Sequence, residues 1–263
     1  MLSTSPLLVH PLRLAGPGDQ RLITDTLAAA PGWTRTTSPD SGTRLTSPCR
    51  TVVITSEPPA DRPGAWTVHG RTSPGSDPLW RASFAPGTPA EITAAFMTVL
   101  VDGLRSRHRD YLRGGPHYLS RTPASVLAEH GWRPGPSPRG FHDQVAPDLT
   151  AVYRHRVGHQ PPDAEAAGRT PPAWSMIAGN LRNPSWHADF TTGVPFYPLV
   201  RATLLFSSPV PVERRLGDLP AHHLPHLTAQ QPSKAAHPAP RNRPAASAAP
   251  PVAQPAAAAA RRR

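Results

Sequence analysis

Residues able to do chemistry are few in this sequence, and their spacing orders little of it. Cys49 is the single cysteine, and Arg50 beside it is a residue type that depresses a thiol pKa, but the sequence fixes no base nearby. His155 and His159 stand four apart, a spacing that holds a metal on a helix; here it runs from an expected strand into a loop, and no Glu lies between them to serve as a base. His222, His223 and His226 read as a solvated histidine cluster. Thirteen histidines allow many Ser-His-Asp combinations on paper, yet no Gly-x-Ser-x-Gly elbow, Walker loop or dinucleotide fingerprint orders any of them. Gly16, Pro17 and Gly18 make too short a loop for phosphate, and the proline removes an amide. The expectation is no catalytic residue, no metal ligand and no cofactor.

Charge supplies the other candidate chemistry. With 28 Lys and Arg against 17 Asp and Glu the chain carries +11, a potential that favours anionic partners. Arg105, Arg107, Arg109 and Arg113, with His108 among them and Arg121 close behind, form the densest basic cluster before residue 207. Arg241, Arg243, Arg261, Arg262 and Arg263 follow later, and these ten arginines are the candidate phosphate contacts for a nucleic acid. The competing reading of the first cluster is plain complementation of a helix C-terminus. Only Lys234 is a lysine, so the preference for arginine itself reflects GC-rich coding.

Residues 207–263 hold eight basic and two acidic side chains, six of the eleven excess charges, and their Pro and Ala content predicts a disordered tether. All six tryptophans and all four tyrosines fall before position 198, where a core is expected. One cysteine excludes an intrachain disulfide, and no apolar run approaches the roughly 20 residues of a membrane span. The opening residues lack a basic region and are interrupted by Pro6 and Pro11, so a cytoplasmic location is expected.

The elements that would position these residues follow from an internal repeat. Gly32 and Trp33 recur as Gly131 and Trp132, and Ser47, Pro48 and Cys49 as Ala146, Pro147 and Asp148, both at an offset of 99. Ala65 and Trp66 recur as Ala173 and Trp174 at an offset of 108, the growth falling in the polar stretch 159–172, where a loop insertion would sit. Pro78, Trp80, Ala82 and Phe84 recur as Pro184, Trp186, Ala188 and Phe190, with Pro89 matching Pro195. Trp80, Ala82 and Phe84 alternate with Arg81 and Ser83, the period of a strand with one buried face. Residues 50–55 and 65–69, and 150–155 and 173–178, read as further strands. Thr88, Pro89 and Glu91 predict a capped helix start, with Ile92, Phe96, Leu100 and Leu104 as its apolar stripe; residues 20–29 and 123–130 read as helices before each Gly-Trp pair. Pro195 and Pro198 predict a late or short helix in the second copy. The fold class is α+β: two similar modules, each a short antiparallel sheet flanked by an N-terminal and a C-terminal helix, at 8–106 and 116–206, joined by a basic linker at 107–115 and followed by a tail at 207–263.

On these residues, Gly-Trp, the Ser-Pro-Asp-like elements at Ser47 and Ala146, the central tryptophans, the Trp80 and Trp186 strands and the Pro89 helix start, the chain resembles the SPDY-motif family, domain of unknown function 317. That resemblance implies an actinobacterial protein with two tandem copies and brings no established activity. The reading is a non-enzymatic two-module interaction protein, associated with nucleic acid through the basic linker and tail. The alternative is an enzyme or small-ligand binder with a site between the modules; a protein partner or a homodimer through sheet edges is a third reading.

Overall fold

The computed structural model describes residues 6–38, 42–57, 64–106 and 121–231. Residues 107–120 and 232–263, which hold the expected linker and most of the expected tail, lie outside them.

Ten strands form one antiparallel sheet. Along the chain, β1 (Pro6–His10) and a 3-10 turn (Leu12–Leu14) lead to α1 (Arg21–Ala28), then β2 (Thr34–Ser38), β3 (Gly42–Thr46), β4 (Val52–Ser56), β5 (Trp66–Arg71), β6 (Pro78–Phe84) and α2 (Ala90–Arg105). The second half supplies α3 (Pro123–Glu129), β7 (Arg133–Pro134), β8 (Phe141–Val145), β9 (Ala151–Arg156), α4 (Pro162–Ala166), β10 (Trp174–Asn180), β11 (Asn183–Phe190) and α5 (Phe196–Phe206). The large sheet runs β2-β3-β4-β5-β6-β11-β10-β9-β8-β7. The α+β class holds, but the two short sheets expected from the sequence are joined. At the seam β6 pairs β11, with Ala82 opposite Phe190, Ser83 opposite Asp189 and Phe84 opposite Ala188. Two apolar strands left as edges would each expose a row of unpaired amides and carbonyls, and pairing satisfies both rows at once.

The inward residues and the helices share one core. Ile23 and Leu27 of α1, Ile92, Phe96 and Leu100 of α2, Leu127 of α3 and Leu199 and Phe206 of α5 belong to the same buried cluster as Trp80, Phe84, Trp186 and Phe190. Phe84, Phe96 and Phe190 meet at centroid separations of 5.4 to 5.7 Å, tying both halves under the seam. Trp80 and Trp186 are buried, as their spacing predicts, and glycines of the opposite half make room for them: Gly193 lies against the Cβ of Trp80 and Gly87 against that of Trp186. Gly131, at φ 78°, ends α3 in a Schellman motif, with the Trp132 amide bonded to the Leu127 carbonyl and the Gly131 amide to that of Ala128. Arg50 and Leu149 both take left-handed backbone angles, φ 58° and 60°, in the turns entering β4 and β9.

Two further expectations need correction. Residues 212–230 are ordered: β12 (Val212–Arg215) and β13 (Thr228–Gln230) flank β1, joined by 3-10 turns at Leu216–Asp218 and Ala221–His226. Composition averaged over 207–263 hides the few residues that pay for this order, with Leu219 buried against Val9 and Ala15, and Arg214 buried against Glu91. Second, Thr88 does not cap α2, because its hydroxyl donates to the Ala85 carbonyl (2.7 Å) and Glu91 turns to Arg214; Pro89 is the N-cap. The short helix expected after Pro195 is found: α5 starts on Pro195 with nearly the dihedrals of Pro89 and runs 11 residues against 16 in α2. Pro198 falls in its first turn, where amides lack intrahelical acceptors anyway.

Candidate functional site

Strand alternation gives the sheet a second, polar face opposite the helices. Trp66, Val68 and Gly70 of β5 and Trp80, Ala82 and Phe84 of β6 are buried, so Thr67, His69, Arg71, Arg81 and Ser83 point the other way. Register carries that face across eight strands in one row: Arg44, Thr55, Thr67, Ser83, Asp189, Ser175, Arg154 and Asp143.

In the first half this face carries three arginines around one histidine. Arg44, Arg71 and Arg81 surround His69 and form no ion pair among the described residues; Arg71 donates to the Ser76 carbonyl. Burial first, then the charges of Arg81, Arg71 and Arg44, hold His69 below the ordinary imidazole range. Its Nδ1 is buried without a hydrogen-bond partner. Beyond α4, Gly168 sits so close to Arg81 that a Cβ would lie 3.1 Å from the guanidinium, so the segment inserted at 159–172 folds against β6 and bounds this patch.

In the second half the two arginines of β9 on the same face are each neutralised. Arg154 makes a two-pronged contact with Asp143 (2.9 and 2.7 Å), whose side chain is 1% exposed, and this hydrogen bonding raises the Arg154 pKa. Arg156 and Glu165 pair at 3.1 Å with side chains 5% and 0% exposed, and Glu165 also accepts the Thr192 amide. Asp189 accepts the Ser175 hydroxyl (2.6 Å) and lies 3.6 Å from His187.

Of the arginines singled out by sequence, the described ones have local partners: Arg105 with Asp102, and Arg121 with Glu129, all exposed. Arg107, Arg109, Arg113, Arg241, Arg243, Arg261, Arg262 and Arg263 lie outside the described residues. Burial alone raises the Cys49 pKa, but hydrogen bonds from Ser47 and Thr51 outweigh it and the net shift is downward; Arg50 plays no part. Its counterpart Asp148 accepts Thr150 Nα–H and Oγ–H and pairs with the buried Arg13, which lowers its pKa against the opposing effect of burial. His155 stacks on Trp174 (5.8 Å) and His159 is exposed. Among the described residues no three His, Cys, Asp or Glu side chains gather to hold a metal, and no helix is long and apolar enough to cross a membrane.

Sequence reasoning passed over Arg44, His69, Arg71 and Arg81. The alternation that identifies Trp80, Ala82 and Phe84 as inward also marks their polar neighbours as one surface, and that signal would have found the patch. A separate open groove of about 1190 Å³ lies between α1, the start of α2 and β12; Asp19, Arg21, Asp25, Glu91, Arg214 and Asp218 line it, and nothing from 116–206 does. It is therefore not a site between the two sequence repeats.

No curated protein and no solved structure matches the chain. Residues 46–104, from the last residue of β3 into α2, match the family model described as SPDY, domain of unknown function (DUF317), and over that segment the chain is similar to that family.

Proposed function

We propose that the chain is a binding protein made of two tandem SPDY-type modules, and that the open sheet face of the first module takes nucleic acid by its phosphates. The observation that carries the binding surface is the group Arg44, Arg71 and Arg81, three cations on one face with no carboxylate among them. Guanidinium groups donate in pairs to phosphate oxygens, and the Thr and Ser hydroxyls beside them add neutral donors. Among the described residues no Phe, Tyr or Trp of β3 to β6 faces this way, which favours backbone contact over base stacking. The linker and tail arginines would add contacts of the same kind, in keeping with a net charge of +11. Tandem duplication is supported by the matching bulges, left-handed turns and proline-capped helices, and by the exchange of Ala82 with Phe190 and Phe84 with Ala188 about the seam.

Binding of labelled DNA and RNA, measured against salt, tests this reading. A linear fall of log affinity with log salt is expected, with a slope of about −0.9 for each phosphate neutralised on duplex DNA. Absence of binding at low salt would end it.

A further inference from the structure

Independently of the cationic face, the seam between β11 and the C-terminal segment holds a hydrogen-bonded serine and histidine pair. In the β10–β11 pairing Ala178 lies opposite Trp186 and Gly179 opposite Pro184, so Ser185 is the extra residue of a bulge. The β5–β6 pairing has the same irregularity, and there the extra residue is Leu79. A bulge re-aims its side chain out of the alternation. Gly179, at φ 88°, leaves the space that Ser185 needs, since a Cβ there would lie 2.6 Å from the hydroxyl oxygen. Ser185 Oγ then stands 2.7 Å from His223 Nε2, and His223 Nδ1 stands 2.8 Å from the Leu14 carbonyl.

Proton positions follow from the partners. A carbonyl oxygen only accepts, so Nδ1 of His223 carries the hydrogen, its Nε2 is a bare lone pair, and the Ser185 hydroxyl donates to it. His222 Nε2, 3.0 Å from the same Oγ, must then donate. Burial, opposed by the hydrogen bond to Leu14 and reinforced by His222 and His226, holds the His223 pKa below the ordinary value, so the ring is an unprotonated base at neutral pH. Nucleophile, base and a third group that orients the base are the parts of an activated hydroxyl.

We propose that Ser185 is a nucleophile and His223 its general base, able to transfer an acyl group from a small activated ester. Oγ bonds to the ester carbonyl carbon as its proton passes to His223 Nε2; the carbon–oxygen bond to the alcohol breaks, and the departing oxygen takes that proton. Water then bonds to the acyl carbon as its proton passes to the same nitrogen; the carbon–Oγ bond breaks, the acid leaves, and the proton returns from Nε2 to Oγ, restoring Ser185 and His223. The Leu14 carbonyl holds the tautomer throughout.

The test is covalent labelling of the full chain with a fluorophosphonate, in which phosphorus bonds to Oγ and fluoride leaves, read by intact mass and peptide mapping. One adduct on Ser185 is expected, absent in S185A and formed about 100-fold or more slowly in H223Q. H222A removes a donor from Oγ and should label at least as fast as the parent. An unlabelled parent chain with an intact circular dichroism spectrum would overturn the proposal, as would labelling indifferent to H223Q; in either case the contact is a structural lock for the C-terminal segment. Neither result bears on nucleic-acid binding.

Discussion

Across strands β3 to β6, Arg44, Arg71 and Arg81 stand on the polar face without a carboxylate, whereas across β8 to β11 Arg154 and Arg156 each lie against one. At the offset of 99 that aligns β3 with β8, Arg44 falls on Asp143 and Thr55 on Arg154; at 108, His69 falls on Ile177. The two halves of the sheet thus differ in their electrostatics. In the second half Asp143, Arg156 and Glu165 are buried, and burial forces pairing, because an isolated ion removed from water is heavily penalised. In the first half the arginines keep solvent contact, pairing is not required, and their positive field is left available to a partner.

The largest effect should come from breaking the buried pair. Glu165→Ala leaves Arg156 with its Nε already unpartnered and its main acceptor gone, and takes the Thr192 amide's acceptor as well. A loss of about 3–5 kcal/mol in urea unfolding is expected. Arg81→Ala, which removes a cation without an ion pair among the described residues, should stay within about 0.5 kcal/mol of the parent. Equal losses for both would erase the distinction between the two faces.

Next in size is binding. The double change Arg44→Ala and Arg81→Ala should make the salt slope for duplex DNA shallower by about 1.8, from two lost phosphate contacts, while Arg105→Ala and Arg121→Ala, whose guanidiniums already meet Asp102 and Glu129, should alter it less. The reverse ranking would return the interface to the basic linker.

How much of this was legible depended on the range of the interaction. Period-two alternation found the Trp80 and Trp186 strands because a strand's inward set is local information. The join of β6 to β11 was not, since either strand could have met another partner with the same pattern. The Thr88 cap failed for a similar reason: Glu91 is drawn to Arg214, 123 residues away. The Ser185 and His223 contact spans 38 residues and no spacing rule covers it. The arginine patch was legible in principle, as polar positions flanking inward ones, but density along the chain pointed to residues 105–121, where neighbouring carboxylates also lie.

The smallest effect is the titration of His69, and it reports on the first face alone, since Ile177 takes its place in the second. Its folded-state pKa lies below the ordinary 6.5, so between the two values the unfolded chain binds the proton and the folded chain does not. Stability should therefore fall as pH drops through the ordinary histidine range, and stop falling once pH passes below the folded pKa. Arg81 is the largest of the charges acting on it, so Arg81→Ala should move the resonance of His69 towards ordinary titration in an NMR pH series. A bound phosphate backbone would neutralise the same cations and raise the same pKa, so by linkage mild acidity should tighten binding. A His69 titration curve that ignores saturating DNA would show that DNA, wherever it binds, does not meet this face.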